Sequence, residues 1–336
     1  MPTLSVGVIG AGDIARKVHL PVLLNMPDVN VDWLYDSSAE RTRAVARANG
    51  LRGMDACSPA QLPACDVALL AIPVGARAAY YDAFAARGIA VMAEKPFAVS
   101  SAEHRALTER FAPSRLACGF MRRFYASSQL LRQLVRSAPF GRLVRIKVSE
   151  GARTTGTRVD RSYFDDSRQS LHGGILSELG CHSLDLALFI SGARSFDIRA
   201  CEFAFDGTVD RKICATIHLG ESEYLSSAGL VLDYCVSWLD RQTNTMIFEF
   251  ENCCVWTEIH PGGQVRMGTP ADSPAGTLLV PGAHAATTAN QAFFLQWRSF
   301  LEGLRTDTES EVSARSALLG TALIEELYAR GRRRDA

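Results

Sequence analysis

The segment AVMAEKPFAVS, residues 90 to 100, ends an apolar run with an acid, a base and a proline side by side. A lysine ammonium near a substrate oxygen can stabilise the negative charge that develops there during a reaction. Proline has a fixed φ and restricts the preceding residue to extended geometry, so Pro96 predicts a constant backbone direction for Lys95. If the run is a parallel strand, Glu94 and Lys95 stand at its carboxyl end, where open α/β sheets bind ligands. Taken alone, the segment is described equally well as a polar exit from a strand.

The segment HGGILSELGCHSLDLALFISG, residues 172 to 192, places Glu178, His182 and Asp185 at helical spacing in a mainly apolar helix. Residues three and four apart share one helical face, so the three are predicted to form a narrow ionisable stripe. Imidazole titrates near neutral pH, which makes His182 a candidate general acid or base, with a flanking carboxylate fixing its orientation. Two other interpretations stay open: the stripe faces water, or Glu178 and His182 bind a metal. Only one histidine lies on this stripe and the segment has no HExxH motif, which argues against the metal, and none is predicted.

The segment VGVIGAGDIARKVHLPVL, residues 6 to 23, has Gly10, Gly12 and Ala15 in a GxGxxA arrangement between an apolar strand and a helix. The first glycine of such a turn makes the tight bend, the second lets the backbone approach a pyrophosphate, and the small third residue allows close packing of helix on strand. Phosphate oxygens would then meet free N–H groups at the helix N-terminus. A tight turn without a ligand is the structural alternative, but the βαβ context favours a dinucleotide site.

Asp36 ends the second predicted strand, near the offset at which an acid binds the ribose hydroxyls of a dinucleotide. A carboxylate there accepts hydrogen bonds from the ribose and repels a 2′-phosphate, so NAD(H) is the expected cofactor. Arg41 lies close enough in sequence to leave NADP(H) open. The predicted cofactor contacts are Gly10, Gly12, Asp13, Ile14, Ala15, Asp36, Ser37, Arg41, Ile72, Pro73, Glu94 and Lys95.

Two patterns of secondary structure position these residues. The first third of the sequence alternates β-rich runs with helical stretches, which is typical of a doubly wound parallel sheet covered on both faces. Later β-rich runs joined by short polar turns indicate an open, mainly antiparallel sheet with helices. The predicted fold class is therefore α/β, with a dinucleotide-binding domain at residues 1–122 and an α+β domain for substrate binding and oligomerisation at residues 123–336. The last helix is a candidate for packing back on the first domain.

Composition excludes several classes of partner. The 336 residues include 36 basic and 36 acidic side chains, so no global field attracts nucleic acid or an anionic membrane. Nine cysteines without a CxxC pair lie among apolar neighbours, as at Cys118, Cys201 and Cys214, and are interpreted as small core residues of a cytoplasmic protein. No stretch approaches the ~20 apolar residues of a membrane span, and the N-terminus lacks a signal-peptide pattern.

Three motifs occur in a fixed order: the GxGxxA turn at 10 to 15, AEKPFA at 93 to 98 and GGILSELGCHSLD at 173 to 185. Together with AIPVGARAAYYDAFAARGIAVMAEKP, GFMRRF and the closing helix ARSALLGTALIEELYAR, they resemble the glucose-fructose oxidoreductase, inositol dehydrogenase and rhizopine-catabolism (Gfo/Idh/MocA) family over nearly the whole chain. The resemblance implies an N-terminal Rossmann domain, a C-terminal domain whose open sheet often forms the oligomer interface, and an active site between them. Members of the family usually oxidise or reduce a hydroxyl carbon of a sugar, a nucleotide-linked sugar or a cyclitol.

The resemblance also implies roles for individual residues. In the family, the lysine of the EKP motif reaches the reacting oxygen, the glutamate before it lies beside the nicotinamide ribose, and the histidine of the DxGxHxxD helix transfers the proton. Here these residues are Lys95, Glu94 and His182. The chain departs from the family at Glu178, where the first acid of the helix is usually Asp, and at Arg77, which replaces the histidine of a TPxxxH loop. Arg77 is expected either to contact an anionic group or to face solvent at the start of a helix.

The predicted reaction is reversible hydride transfer between NAD(P) and a secondary hydroxyl or keto carbon of such a substrate. His182 would accept the proton and Lys95 would stabilise the alkoxide, while Glu178 and Asp185 are supporting candidates. Alternatives are a non-catalytic NAD-binding regulator and a glycosidase that uses NAD as a transient hydride store. Substrate contacts are expected from Arg123, Arg153, Tyr163 and His182, and further pocket candidates are Arg122, Gln296 and Trp297. A homodimer or homotetramer through the C-terminal sheet is expected.

Overall fold

The computed structural model describes residues 2–55, 58–153, 173–222, 224, 229–268, 276–280 and 286–335. The chain divides into two units, of which the first comprises Met1–Met121 and Phe293–Leu318 and the second comprises Arg122–Ala292 and Leu319–Ala336. The two units therefore do not coincide with residues 1–122 and 123–336. The difference is that Phe293–Leu318, assigned by the sequence analysis to the second domain, groups with the first unit.

A six-stranded sheet with the order β3-β2-β1-β4-β5-β6 forms the centre of the first unit, and every neighbouring pair is parallel. Its strands are β1 (Leu4–Ile9), β2 (Val29–Tyr35), β3 (Arg52–Gly53), β4 (Val67–Leu70), β5 (Ala90–Ala93) and β6 (Leu116–Cys118). Every residue of β4 and β5 is buried, as expected of parallel strands covered on both faces. The strand order reverses between β1 and β4, so a topological switch point lies at their carboxyl ends. The predicted doubly wound sheet is confirmed.

Serine side chains cap the N-termini of two helices of the first unit. A π-helical turn at Ala15–His19 continues into α1 (Leu20–Leu24), and α2 (Ala39–Asn49), α3 (Ala78–Ala86) and α4 (Ser101–Arg110) follow. The side chain of Ser38 accepts a hydrogen bond from a free N–H at the start of α2, and Ser100 does the same for α4. The core of this unit is rich in aromatic residues and includes Trp33, Tyr81, Phe84, Phe97 and Phe111.

A nine-stranded sheet forms the second unit, in the order β14-β13-β12-β11-β7-β10-β9-β8-β15. Its strands are β7 (Leu143–Gly151), β8 (Ser195–Asp206), β9 (Val209–Gly220), β10 (Leu230–Ser237), β11 (Thr245–Phe250), β12 (Cys254–Glu258), β13 (Val265–Gly268), β14 (Thr277–Leu279) and β15 (Arg332–Asp335). Only β7–β10 and β8–β15 are parallel among the neighbouring pairs of these described strands. The prediction of a mainly antiparallel sheet is therefore confirmed.

Helices pack on one face of this sheet. They are α5 (Ala126–Ser137), α6 (Cys181–Ser191) and the later part of α8 (Ala314–Arg330). A π-helical turn at Leu176–Gly180 leads into α6, and α7 (Ala289–Thr306) comes before α8 in the chain. The buried core of the unit includes Ile146, Leu184, Ile217, Leu232 and Leu327, which come from both strands and helices. Among the described helices, none is long and apolar enough to cross a membrane.

Residues of β9 alternate between the core and the opposite face of the sheet, because successive side chains of a strand point to opposite sides. Cys214 lies on the opposite face, where it forms a disulfide with Cys235 of β10, its direct partner in the ladder. The interpretation of Cys214 as a core residue is therefore wrong, whereas Cys118 and Cys201 are buried. A cytoplasmic location stays a prediction.

Candidate active site

The glycine turn after β1 leaves room for a phosphate group. Gly10 has a φ of +100°, and a Cβ there would lie 2.3 Å from the carbonyl oxygen of Ala71, so only glycine fits this bend. A Cβ on Gly12 would meet no atom within 4 Å, which means that the backbone at Gly12 is open to an approaching ligand. Ala15 is fully buried, in agreement with close packing of helix on strand. The shape of the turn thus fits the pyrophosphate of a dinucleotide.

Asp36, directly after β2, stabilises this turn by accepting hydrogen bonds from the backbone. Its Oδ2 accepts a hydrogen bond of 2.8 Å from the N–H of Ala11, and its Oδ1 accepts one of 2.8 Å from the N–H of Ser38. The guanidinium of Arg41, which is largely exposed, lies 3.4 Å from both carboxylate oxygens. The two contacts with Arg41 are long and involve an exposed side chain, so ribose hydroxyls could take their place on the carboxylate oxygens. That contact stays a prediction.

Five other predicted cofactor residues lie near the ends of β1, β2 and β4. Asp13 is exposed, and its carboxylate pairs with Arg16 at 2.7 Å and Lys17 at 2.6 Å. Half-buried positions are Ile14 and Ile72, and exposed positions are Ser37 and Pro73. Their contact with a cofactor stays a prediction.

Glu94, directly after β5, belongs to a buried hydrogen-bond network. Its Oε1 lies 2.7 Å from Nε2 of His19, and Nδ1 of His19 accepts a hydrogen bond of 2.9 Å from the indole N–H of Trp297. Because an indole can only donate, the imidazole proton sits on Nε2 and is donated to Glu94. A Cβ on Gly119 would lie 2.9 Å from Glu94 Oε1, so this glycine makes room for the carboxylate.

The network keeps Glu94 charged. Burial raises the pKa of the Glu94 carboxyl, but the hydrogen bond from His19 and the charges of Lys95 and Arg77 outweigh burial, so the pKa lies below its ordinary value. Lys95 is half-buried, its N–H donates to Glu94 Oε2 at 3.3 Å, and its bond to Pro96 is cis. An anionic and a cationic residue thus stand together at the carboxyl end of β5.

Sequence reasoning missed His19 as part of this network. His19 and Trp297 are both fully buried, and 278 positions separate them. Trp297 and its neighbour Gln296, both considered as pocket candidates, have no exposed surface. No local pattern pairs residues this far apart, although a histidine on the buried side of the first helix was a signal that a polar partner must exist.

Arg77 is not a solvated residue at the start of a helix. Only 2% of its surface is exposed, and its guanidinium donates to the backbone carbonyls of Ile72, Glu94 and Pro96. The expectation of solvent exposure is therefore wrong, and the donors expected to contact an anionic group are directed at carbonyl oxygens.

The helix that carries His182 begins with the π-helical turn Leu176–Gly180. The N–H of Cys181 bonds to the carbonyl of Leu176, five residues back, and the hydroxyl of Tyr234 donates to the carbonyl of Gly180 at 2.9 Å. Turns of this kind are rare and occur often at functional sites. Glu178 and His182 are both half-buried, so each retains an accessible part for a ligand.

Asp185 does not share this exposure. It is 3% exposed, and its Oδ2 and Oδ1 accept hydrogen bonds from Nε (2.8 Å) and Nη2 of Arg123, which is itself 2% exposed. Asp185 therefore differs from Glu178 and His182 in being buried against an arginine, and its predicted role in orienting His182 stays a prediction. Two donors of Arg123 are used in this pair, and the substrate contact predicted for Arg123 stays a prediction.

The other predicted substrate residues differ in their surroundings. Arg122 donates to Glu150 at 2.7 Å and is largely buried, whereas Arg153 is exposed beyond the end of β7. Tyr163 lies outside the described residues. The substrate contacts of Arg153, Tyr163 and His182 stay predictions. In the described part of the chain, no group of three or more histidine, cysteine, aspartate or glutamate side chains is arranged to hold a metal ion.

Asp210 holds the start of the His182 helix. This fully buried carboxylate accepts a hydrogen bond of 2.9 Å from the N–H of Leu176 and another of 2.9 Å from the hydroxyl of Tyr328. A Cβ on Gly174 would lie 1.9 Å from Asp210 Oδ1, so the glycine is required for this approach. Burial raises the pKa of Asp210 to about 6, although both hydrogen bonds oppose the shift.

A pH dependence of stability follows from Asp210. Its pKa is higher in the folded protein than the ordinary value of 3.8, so the contribution of this group to stability is full below pH 3.8 and is lost as pH rises through about 6. We expect the free energy of unfolding of the wild type to fall by about 2 kcal/mol between pH 4 and 7, relative to Asp210→Asn, which does not titrate. Urea unfolding at both pH values measures this difference, and parallel curves for the two proteins would contradict it.

Comparisons with known proteins agree with this geometry. Residues 4–119 match the GFO_IDH_MocA family model, described as an oxidoreductase family with an NAD-binding Rossmann fold. The chain is 28% identical over 193 residues to a D-glucoside 3-dehydrogenase of Escherichia coli, a match that covers 56% of this chain and 54% of the relative. It is 25% identical over 202 residues to an inositol 2-dehydrogenase of Rhizobium meliloti, covering 59% and 58%. The matched region spans about half the length of each of these curated relatives.

The fold is shared over almost the whole chain. A crystal structure of a 3-ketoreductase from Actinomadura kijaniata, in complex with NADP and TDP-benzene, superposes with a TM-score of 0.81 at 16% identity and covers 99% of both chains. This similarity shows the fold alone, and the predicted family is supported by the match of the first unit. Residues 4–119 are thus similar to the GFO_IDH_MocA oxidoreductase family, whose NAD-binding Rossmann fold agrees with the parallel sheet and the glycine turn of the first unit.

Proposed function

We propose that this chain is an NAD(P)-dependent oxidoreductase that transfers a hydride between the nicotinamide ring and a secondary hydroxyl or keto carbon of a sugar, a nucleotide-linked sugar or a cyclitol. The observation that carries the proposal is the pair that follows β5. Glu94 is held as an anion by His19, and Lys95 is next to it at the carboxyl end of a parallel strand. This is the end of an open α/β sheet at which ligands bind.

The residues of the chain supply position, charge and a proton acceptor. NAD(P), when bound, supplies the hydride chemistry. The open backbone at Gly12 and the carboxylate of Asp36 would hold its pyrophosphate and ribose. During oxidation of an alcohol, the oxygen must lose a proton as its carbon loses a hydride. His182 would accept this proton, and the ammonium of Lys95 would stabilise the developing alkoxide.

The names of the relatives support the substrate class. One acts on a D-glucoside and another on an inositol, and the solved relative binds TDP-benzene, a nucleotide derivative. A glucoside and an inositol each have a ring with secondary hydroxyl carbons, and TDP-benzene carries a nucleotide diphosphate. We propose glucosides, nucleotide-linked hexoses and inositols as the first compounds to test.

Absorbance at 340 nm tests the proposed reaction. Purified protein is incubated with NAD or NADP and each of a panel of glucosides, nucleotide-linked hexoses and inositols, and NAD(P)H formation is recorded. At least one compound is expected to give a continuous rise in absorbance. Cofactor binding without any absorbance change across the panel would favour a non-catalytic regulator, and sugar release without accumulation of NADH would favour a redox-neutral glycosidase. Either result would overturn the proposal.

NAD(H) is proposed as the preferred cofactor, because the carboxylate of Asp36 opposes a 2′-phosphate. We expect a lower KM for NAD(H) than for NADP(H). Arg41→Ala should raise the KM for NADP(H) by about 10-fold and leave that for NAD(H) unchanged, since its guanidinium lies 3.4 Å from Asp36 and can pair with a phosphate. Arg43→Ala, an exposed arginine on the same helix, is the matched control. A lower KM for NADPH in the wild type would contradict the preference.

We also propose a homodimer or homotetramer formed through the nine-stranded sheet. The face opposite the core carries half-buried apolar side chains, Ile247 and Trp256, beside charged pairs such as Arg145 with Asp233 at 2.5 Å. Mixed apolar and paired polar surface is suited to association with a second copy. Light scattering of the wild type should give a dimer or tetramer mass, and Trp256→Glu should lower that mass; a monomeric wild type would contradict the assembly.

A further inference from the structure

Arg77 is a buried cation bound by backbone carbonyl groups. It lies directly before α3, and 2% of its surface is exposed. Nε and Nη2 donate to the carbonyl oxygen of Ile72 at 2.9 and 2.7 Å, and Nη1 donates to the carbonyls of Glu94 and, at 2.6 Å, Pro96. A guanidinium is a planar fork of donors with a permanent charge, so it can hold several acceptors in one fixed geometry.

The carbonyls bound by Arg77 come from two adjacent strands of the sheet. Ile72 follows β4, and Glu94 and Pro96 follow β5, whose last residue Ala93 pairs with Leu70 of β4. The guanidinium therefore connects, through hydrogen bonds, the two segments that follow β4 and β5 at their carboxyl ends. The two carbonyls on the β5 side belong to the residues immediately before and after Lys95.

This arrangement restrains the backbone around Lys95. Hydrogen bonds to a charged donor are stronger than neutral ones, and a buried cation loses them only with a large penalty. Rotation of the Glu94–Lys95 peptide group, or of the Pro96–Phe97 peptide group, would remove a carbonyl from the guanidinium. The charge of Arg77 also favours the ionised form of Glu94, since it contributes to the lowered pKa of that carboxyl.

We propose that Arg77 is a positioning residue for hydride transfer: by binding the carbonyls on both sides of Lys95 and the end of the neighbouring strand, it fixes the position of the Lys95 ammonium. This inference rests on the proposed function, in which Lys95 stabilises the reacting oxygen. Misplacement of a catalytic group by about 1 Å can lower a rate by 10²-fold, so the expected effect is on kcat.

Two variants and a matched control test the proposal. Arg77→Lys keeps the charge but replaces the fork with one ammonium, which cannot reach both strands with the same geometry. Arg77→Ala removes both the charge and the donors. The control is Arg87→Ala: Arg87 follows the last turn of the same helix, and its Nη1 donates to a backbone carbonyl, that of Leu62, at 2.9 Å.

Kinetics and hydrogen exchange give separate readouts. We expect Arg77→Lys to lower kcat by about 10-fold and Arg77→Ala by about 10²-fold, with the KM for cofactor within about threefold of the wild type. In the protein without cofactor, amide exchange in the peptide 90–100 should become faster in both variants and stay unchanged in Arg87→Ala. Wild-type kcat, or unchanged exchange in peptide 90–100, in folded Arg77→Lys would overturn the proposal. Arg77→Lys decides the question even where Arg77→Ala does not fold.

A rescue and a double variant separate positioning from a general loss of structure. Added guanidinium ion at millimolar concentration should restore part of the kcat of Arg77→Ala and none of that of Lys95→Ala. In the Lys95→Ala background, Arg77→Lys should lower kcat by less than twofold, because residues that act through one another are not additive. A full 10-fold further loss in that background would overturn the proposal. A wild-type kcat in Lys95→Ala alone would instead remove the proposed role of Lys95.

Discussion

Lys95→Ala and His182→Ala are each expected to lower kcat by about 10²- to 10⁴-fold while the protein still binds its cofactor. Lys95 supplies the only positive charge proposed for the developing alkoxide, and His182 supplies the proton acceptor. Neither residue belongs to the glycine turn, and neither is Asp36, which stabilises that turn; the dinucleotide is proposed to bind at these two places. Steady-state kinetics with the best substrate from the 340 nm screen measures the loss, and titration of cofactor fluorescence measures binding.

Lys212→Ala is the control for removal of a lysine, because Lys212 pairs with Asp240 at 2.7 Å on a partly exposed surface. It should keep the wild-type kcat. A turnover close to that of the wild type in Lys95→Ala or His182→Ala would remove that residue from the proposed mechanism.

Loss of either partner of the Arg123–Asp185 pair is expected to destabilise the protein by about 3–5 kcal/mol. Both side chains are almost fully buried, so Arg123→Ala or Asp185→Ala leaves one charge without compensation in a medium of low polarity. The guanidinium also lies 5.0 Å above the ring of Phe189, which adds a cation–π contact. Urea unfolding measures the change in the free energy of unfolding.

The surface pair Arg142–Glu251 provides the contrast. Its side chains are 48% and 38% exposed, and Arg142→Ala should change the free energy of unfolding by less than about 1 kcal/mol. The double variant of Arg123 and Asp185 should lose less stability than the sum of the single variants, since it leaves no unpaired charge. A loss below 1 kcal/mol in both single variants would show that the buried pair does not hold the His182 helix.

Local patterns predicted the features that depend on neighbouring residues. The bend at Gly10 requires a glycine because the backbone has a positive φ and meets Ala71, and the GxGxxA spacing carries this requirement in a few adjacent residues. The burial of β5 and its charged end at Glu94 likewise follow from a short apolar run and the residues after it. The family resemblance rested on the order of such local motifs.

Long-range partners were not predictable in the same way. Helical spacing placed Asp185 on the face of His182, but spacing contains no information about Arg123, which lies 62 positions away and binds that carboxylate. The same is true of the indole of Trp297 and the imidazole of His19. A buried polar side chain needs a partner, but its identity depends on the packed fold rather than on the local sequence.

The most direct test of the proposed function follows the transferred hydrogen. A substrate from the 340 nm screen is prepared with deuterium on the reacting carbon and incubated with the wild-type protein and NAD, and the NADH formed is analysed by mass spectrometry and proton NMR. The proposal predicts one deuterium at nicotinamide C4 for each molecule of ketone formed. Unlabelled NADH, or deuterium that remains on the carbon of the sugar product, would contradict hydride transfer as the reaction of this protein.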